Sequence, residues 1–271
     1  MLVDFHTHIF PQRIAPAAMK SLSDSIVRYQ DIRYRHYTRG TLESITSSMK
    51  TRNVDMSVIL PIATKPSQTN SINEFAKGIR NDKVVSFGSL HPQQDDWESI
   101  LVSLKEDGFK GIKLHPEYQS FYIDSSRSID ILRKAEELGL YVVLHSGFDY
   151  GMPPPVHCTP QKLKNVLDYV SGEYIIAAHL GAFADWDEVE KHLVGTQINF
   201  DTAFVSKFME PEQCKRIIIN HGSDKVLFGS DSPWNDPETE YKFILGLGLS
   251  EEENDEIFYK NALNILKDRG Q

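Results

Sequence analysis

The chain has 271 residues, 40% of them hydrophobic and 25% charged, a globular composition that can bury one barrel domain or two smaller ones. Its formal net charge of -9 argues against nucleic acid or an anionic membrane as a general partner, since such partners need a cationic face. A small soluble substrate is therefore the expected partner, and a homo-oligomer is compatible with it.

Taken from the N-terminus, Met1-Leu2-Val3-Asp4 carries no charged leader, and no apolar run nears the roughly 20 residues that cross a bilayer. A cytoplasmic protein is expected, with the widely separated Cys158 and Cys214 as free thiols. The first apolar run, Leu2 to His8, predicts a strand, and a long connection follows from Ile9 to about Gly40. Val- and Ile-rich runs then predict strands at Met56 to Ile62, Lys83 to Leu90, Lys110 to His115 and Leu140 to His145. A helix from about Ser126 to Leu138 stops at Gly139. A second long connection runs from Ser146 to Thr159, where Thr159 and Pro160 open a helix as N-cap and first-turn proline. Strands at Tyr174 to His179, Thr196 to Thr202 and Lys225 to Ser230 complete a set of eight. A last helix opens at Ser250 with Glu253 three residues on, a capping-box spacing, and continues through Ile257, Ala262 and Ile265.

Eight strand-helix units with no low-complexity linker predict a single α/β domain over residues 1–271, a (β/α)8 TIM barrel with a C-terminal closing helix. Both long connections follow strands. In a barrel they lie on the C-terminal face and are candidate lids.

Of the ten histidines, His6, His8, His91, His115, His145 and His179 sit at or just past a predicted strand end. Random placement would put about one there, given the barrel geometry. Alternate residues of a strand face one side, so His6 and His8 can meet one ion, and imidazole suits zinc. By itself a His-x-His pair is more often a surface or sheet pair. Here His145 and Asp231 end other strands of the same parallel set and complete a metal-type constellation.

Five segments carry a family resemblance: Asp4 to His8, Gly111-Ile112-Lys113-Leu114-His115-Pro116, Leu144-His145-Ser146-Gly147, Ala178-His179-Leu180-Gly181 and Phe228-Gly229-Ser230-Asp231-Ser232-Pro233-Trp234. With Asn261-Ala262 they span nearly the whole chain. In this order they resemble the amidohydrolase superfamily, and within it the amidohydrolase-2 branch of nonoxidative decarboxylases and hydrolases of cyclic acids. The resemblance implies a divalent metal, zinc first and manganese second, held by His6, His8, His145 and Asp231. It makes Asp231 and His179 the catalytic pair, with His179 itself a ligand in two-metal members. Lys113 matches the lysine that two-metal members carbamylate, although His115 lies two residues nearer the strand end. A buried pair between Lys113 and Asp4 is the plain alternative. His115 is expected to touch substrate or support a ligand.

His91 is expected to pack a loop, and His36, His157, His192 and His221 are read as ordinary, with His157 set apart by its place on the second long connection. Arg33, Arg35 and Arg39 could receive a substrate carboxylate, but such a cluster is more often solvated surface.

The leading expectation is hydrolysis of an ester, lactone or amide by metal-activated water, with Asp231 as base and His179 stabilising charge or protonating the leaving group. The alternative is nonoxidative decarboxylation of a small carboxylic acid on the same residues. Phosphoester hydrolysis is a minor alternative, because the TatD-like pattern needs a glutamate where Lys113 stands. A metal-binding barrel without catalysis is another, and the intact Asp231 weighs against it.

Overall fold

The computed structural model describes residues 1–267. Nine short strands run through it: β1 (Val3–Thr7), β2 (Met56–Ile59), β3 (Val84–Ser86), β4 (Gly88–Ser89), β5 (Gly111–Leu114), β6 (Tyr141–Leu144), β7 (Ile175–Ala177), β8 (Asn199–Asp201) and β9 (Val226–Leu227). All adjacent pairs are parallel, in the orders β1-β2-β3 and β4-β5-β6-β7-β8-β9. The expected third strand is thus broken in two at Phe87. Its backbone still bonds across the break, Phe87 N–H donating to the Ile59 carbonyl at 2.9 Å, while the Ser86 hydroxyl takes the Phe87 carbonyl.

The ring closes between its two ends. Phe5 N–H donates to the Phe228 carbonyl (2.8 Å), Asp231 N–H to His6 O (2.8 Å) and His8 N–H to Ser232 O (2.7 Å). The result is the eight-unit α/β barrel expected from the sequence. The eighth strand is shorter than expected because side chains replace its ladder: Gly229 N–H bonds Thr202 Oγ1 and Ser230 N–H bonds Asp4 Oδ1.

Side-chain alternation divides the core. Val58, Leu60, Phe87, Val143, Ile176 and Leu227 pack together as one buried cluster. Ile112, Leu114, Val142, Leu144 and Ala177 join a second cluster with helix residues such as Leu101, Leu132, Leu163 and Val189. Continuing that alternation places Lys113 and His145 on the same face as Val143. β1 departs from it: its register against β2 shifts between Asp4 and Thr7, so Phe5 packs edge-on to Phe87 while the adjacent His6 also turns to the site.

The helix signals act as read. Thr159 caps Pro160–Val166 by accepting from Lys162 N–H, Gly139 follows Ser126–Glu137 with φ 63°, and Ser250 and Glu253 form a reciprocal capping box. The closing segment is helical from Glu251 to Leu266 with a π-turn at Glu256–Lys260. That wider turn accompanies the diversion of the Ile257 carbonyl, which accepts from Phe228 N–H at 2.9 Å. The Asn261 amide donates to the carbonyls of Ser223 and Val226, tying the helix to β9.

The first long connection contains a 16-residue helix, Ala15–Gln30, which buries only Ala15 and Met19; so narrow an apolar contact gives little sequence periodicity to read. The second is fixed at its start by Gly147. It bridges Phe183, and at φ 81° a Cβ there would stand 2.3 Å from both Phe183 N and O. Gly147→Ala is expected to cost on the order of 2 kcal/mol through strain and displaced backbone, read as a lower midpoint in urea unfolding with unchanged slope.

Candidate metal centre

His6, at the mouth of the barrel, is buried, and its Nδ1–H donates to Asp201 Oδ2 at 2.8 Å. A carboxylate can only accept, so Nε2 keeps its lone pair. Burial, together with the nearby Lys113 charge, pushes the His6 pKa down to about 4, and the ring is neutral at pH 7. His8 is set the same way, its Nδ1–H donating to the Leu60 carbonyl at 2.9 Å. The two Nε2 lone pairs then face each other 3.1 Å apart. Asp231 Oδ1 stands 3.2 Å from His8 Nε2 and 3.7 Å from His6 Nε2. Burial would raise the Asp231 pKa, but the neighbouring His8, His6 and His179 outweigh that and hold it below the usual carboxylate range.

The same logic recurs across the mouth. His179 Nδ1–H donates to Ala203 O at 2.8 Å, and His145 Nε2–H to Phe148 O at 3.1 Å. Their bare nitrogens, His179 Nε2 and His145 Nδ1, again lie 3.1 Å apart. The His179 ring is 5.3 Å from that of His6, so the two pairs adjoin. Opposed lone pairs repel unless a cation lies between them. Two imidazole pairs and a carboxylate in this arrangement fit a divalent ion by the chemistry of the donor set.

The four residues expected to share an ion do not form one tight group. Among the described residues, potential ligand atoms within 4.8 Å of one another occur as His6, His8 and Asp231, and as His115, His145 and Asp149. His145 Nε2, the side away from His179, lies 3.8 Å from Asp149 Oδ2 of the second group. Lys113 Nζ lies 3.5 Å from His6 Nε2. The expected alternative of a Lys113–Asp4 pair is overturned: Asp4 accepts from Ser230 N–H (2.8 Å) and Ser230 Oγ (2.6 Å). The register shift in β1 separates the direction of Asp4 from that of His6.

Sequence reasoning missed Asp201 and Asp149. Asp201 ends β8 fully buried and, besides His6, accepts from the N–H groups of His179 and Ala203 through Oδ1. Burial alone would raise its pKa, yet the neighbouring His6 carries it well below the ordinary range. Asp149, on the second long connection, lies 3.1 Å from His115 Nε2 and 3.8 Å from His145 Nε2. The His115 ring stacks on His145 at 4.1 Å. Both His179 and Asp231 adopt left-handed backbone, φ 61° and 64°. For non-glycine residues this conformation costs on the order of 1 kcal/mol or more, and such strain concentrates at functional sites.

The other histidines are accounted for locally. His91 Nδ1 accepts from Gln93 N–H, His192 pairs with Glu188, and His221 stacks on Phe200 while bonding Ile198 O. His36 meets Ser23 and Trp234. Arg35 lies over the Tyr37 ring. Cys158 and Cys214 are free and buried.

Residues 3–267 match the family model Amidohydro_2, described as amidohydrolase. The chain belongs to the amidohydrolase family. No curated protein sequence matches it. Among solved structures this amidohydrolase-family chain is similar to 5-carboxyvanillate decarboxylase from Sphingomonas paucimobilis, at TM-score 0.73 and 16% identity over 98% of each chain. It is similar to an uncharacterised TIM-barrel protein from Bordetella bronchiseptica, at TM-score 0.74 and 14% identity over 98% of each. A 2,6-dihydroxybenzoate decarboxylase from Rhizobium matches at TM-score 0.67 and 15% identity over 99% of each. At these identities the likeness is one of fold. The family assigned from the sequence motifs, the barrel and the expectation of an enzyme of this family therefore stand. No helix among the described residues is long and apolar enough to cross a membrane.

Proposed function

We propose that the chain is a metal-dependent nonoxidative decarboxylase of a small, hydroxylated, planar carboxylic acid. The observation that carries this reading is Lys113. It is 1% exposed; burial lowers its pKa to about 8, and the Asp201 and Asp231 carboxylates oppose that fall and favour the ammonium. Among the described residues it hydrogen-bonds to no carboxylate. A buried cation without a bonded counter-ion is costly, and a substrate carboxylate beside His6 would complete it. An aromatic wall supports a planar substrate: Phe183 meets His179, and Tyr150, Phe204 and Phe208 surround Phe183. Tyr34 from the first long connection stacks on Tyr150 of the second at 6.2 Å, so the two candidate lids meet over this wall. Two of the structural neighbours named above are decarboxylases of hydroxylated aromatic acids.

His6, His8 and Asp231 would hold the ion, with His145 joining through Nδ1. Zinc is the first choice, and manganese is supported by a related 5-carboxyvanillate decarboxylase with manganese bound. The ion supplies a Lewis acid for the substrate oxygens. Asp231, a carboxylate at neutral pH, accepts the proton of the substrate hydroxyl and returns it to the carbon from which carbon dioxide leaves. The electron pair of the broken carbon–carbon bond takes that proton, so the step needs no outside acid. Lys113 orients the departing carboxylate, and the bare Nε2 of His179 accepts from and orients the substrate hydroxyl.

A second reading, hydrolysis of an ester, lactone or amide, is favoured by one observation: Asp231 held below the usual range is also a base for water. The metal-loaded protein should release carbon dioxide from at least one member of a panel of hydroxybenzoic and unsaturated hydroxy acids. A chelator should abolish that release and added zinc or manganese restore it. Cleavage of esters, lactones or amides with no carbon dioxide from any acid would replace this proposal with the hydrolytic one.

A further inference from the structure

Away from the candidate ligands, Glu240 in the helix Pro237–Leu245 is fully buried. Its Oε1 accepts from Ser206 N–H at 3.1 Å, and its Oε2 from Ser206 Oγ at 2.8 Å and Asn235 Nδ2 at 2.6 Å. Asn235 Nδ2 also reaches Ser206 Oγ at 3.3 Å, and Asn235 Oδ1 is buried without a partner. Ser206 lies on the loop after β8 and Asn235 on the loop after β9. The second of these is already seated by Asp231 N–H on His6 O and Trp234 N–H on Asp231 O. Among the described residues Ser206 N–H donates to no backbone carbonyl, so Glu240 is what ties down the loop after β8 at this point. That loop is strained. Phe204, two residues before Ser206, has left-handed backbone, φ 61°, which a bulky residue keeps only where its surroundings enforce it. So held, Phe204 stacks on Phe183 at 5.9 Å and meets Phe208 at 5.2 Å, and Phe183 in turn meets His179.

We propose that Glu240 is a positioning residue for substrate selectivity: through Ser206 it holds Phe204 in its strained conformation, and Phe204 in turn fixes Phe183 against the site. The inference rests on the reading of this aromatic wall as the surface for a planar acid. The clamp needs hydrogen bonds at position 240 rather than charge. Burial raises the Glu240 pKa to about 8, which favours the uncharged acid near neutral pH. An amide can take its place. Its oxygen accepts from Ser206 N–H, and its nitrogen donates to Ser206 Oγ and, with the Asn235 amide turned over, to Asn235 Oδ1. A methyl group at position 240 makes none of these bonds.

The test uses full-length wild type, Glu240→Ala, Glu240→Gln and Ser206→Ala, the last a milder change should Glu240→Ala fold poorly. Hydrogen–deuterium exchange is read by mass spectrometry without ligand. Glu240→Ala should speed exchange over 203–209 by roughly tenfold, the loss of one or two net hydrogen bonds, and leave β5, β6 and β7 unchanged. Ser206→Ala should give a smaller rise, and Glu240→Gln should match wild type. Calorimetry of the zinc-loaded proteins then compares salicylate, a planar hydroxy acid, with its saturated counterpart 2-hydroxycyclohexanecarboxylate. Wild type and Glu240→Gln should favour the planar acid, and Glu240→Ala should lose about tenfold of that preference, the scale of an aromatic contact. A role in stability alone would weaken both acids equally. Unchanged exchange over 203–209 in Glu240→Ala and Ser206→Ala, an undiminished preference for the planar acid, or failure of Glu240→Gln to restore either property overturns the proposal. If neither acid binds wild type while exchange behaves as stated, the decarboxylase reading falls instead and the clamp on Phe204 stands.

Discussion

Asp231→Asn is expected to lower turnover by roughly 10³-fold, the range for loss of a positioned acid-base group, while leaving the barrel folded. The amide is isosteric, and the backbone bonds that seat the residue, Asp231 N–H to His6 O and Trp234 N–H to Asp231 O, do not involve the side chain. What disappears is the only carboxylate in the group with His6 and His8. Far-UV circular dichroism and urea unfolding should match the wild type within about 1 kcal/mol, and elemental analysis should show weakened metal retention. Turnover within tenfold of wild type would place the acid-base role on His179.

The second large effect belongs to Asp201. Its two oxygens accept from His6 Nδ1–H on one side and from the His179 and Ala203 N–H groups on the other. An asparagine has one accepting oxygen, so Asp201→Asn turns a donor toward a donor on one of these sides. Zinc affinity should fall roughly 10- to 100-fold, as for other partners that orient a ligating histidine, and stability at neutral pH should fall by about 3 kcal/mol. The sign with pH follows from the lowered pKa. The folded value lies below the usual 3.8, so the Asp201 contribution is fully present above about pH 4 and is lost as pH falls through the folded value. The stability gap between wild type and variant should therefore be constant from pH 5 to 8 and narrow in stronger acid. A gap that widens in acid would contradict the ionised state of Asp201.

What the sequence revealed follows from which forces repeat along it. Strand ends were legible because parallel strands are apolar on both faces and the polar residue that follows each stands out; His6, His145 and His179 were found that way. Asp201 obeys the same rule, closing Asn199–Asp201 after a buried Phe200, but a lone acidic residue after an apolar run is common and does not stand out as an imidazole does. Asp149 left no comparable mark. It reaches His115 through the path of a connection without periodicity, and only the fold brings them together. The Lys113–Asp4 pairing failed for a related reason: a one-residue irregularity in β1 is invisible to a strict alternation of two. The helix Ala15–Gln30 was missed because its contact with the body of the protein is narrow.

The seam that closes the barrel has a consequence for assembly. The bonds from Phe5, His8 and Asp231 that join first strand to last are made by the same two segments that bring His6 and His8 to Asp231. A nascent polypeptide halted before residue 226 would present paired imidazoles with no carboxylate opposite them and an unzipped sheet edge. An ion held there would rivet the first strand to the last, so a chelator would loosen the closure of the sheet as well as the site.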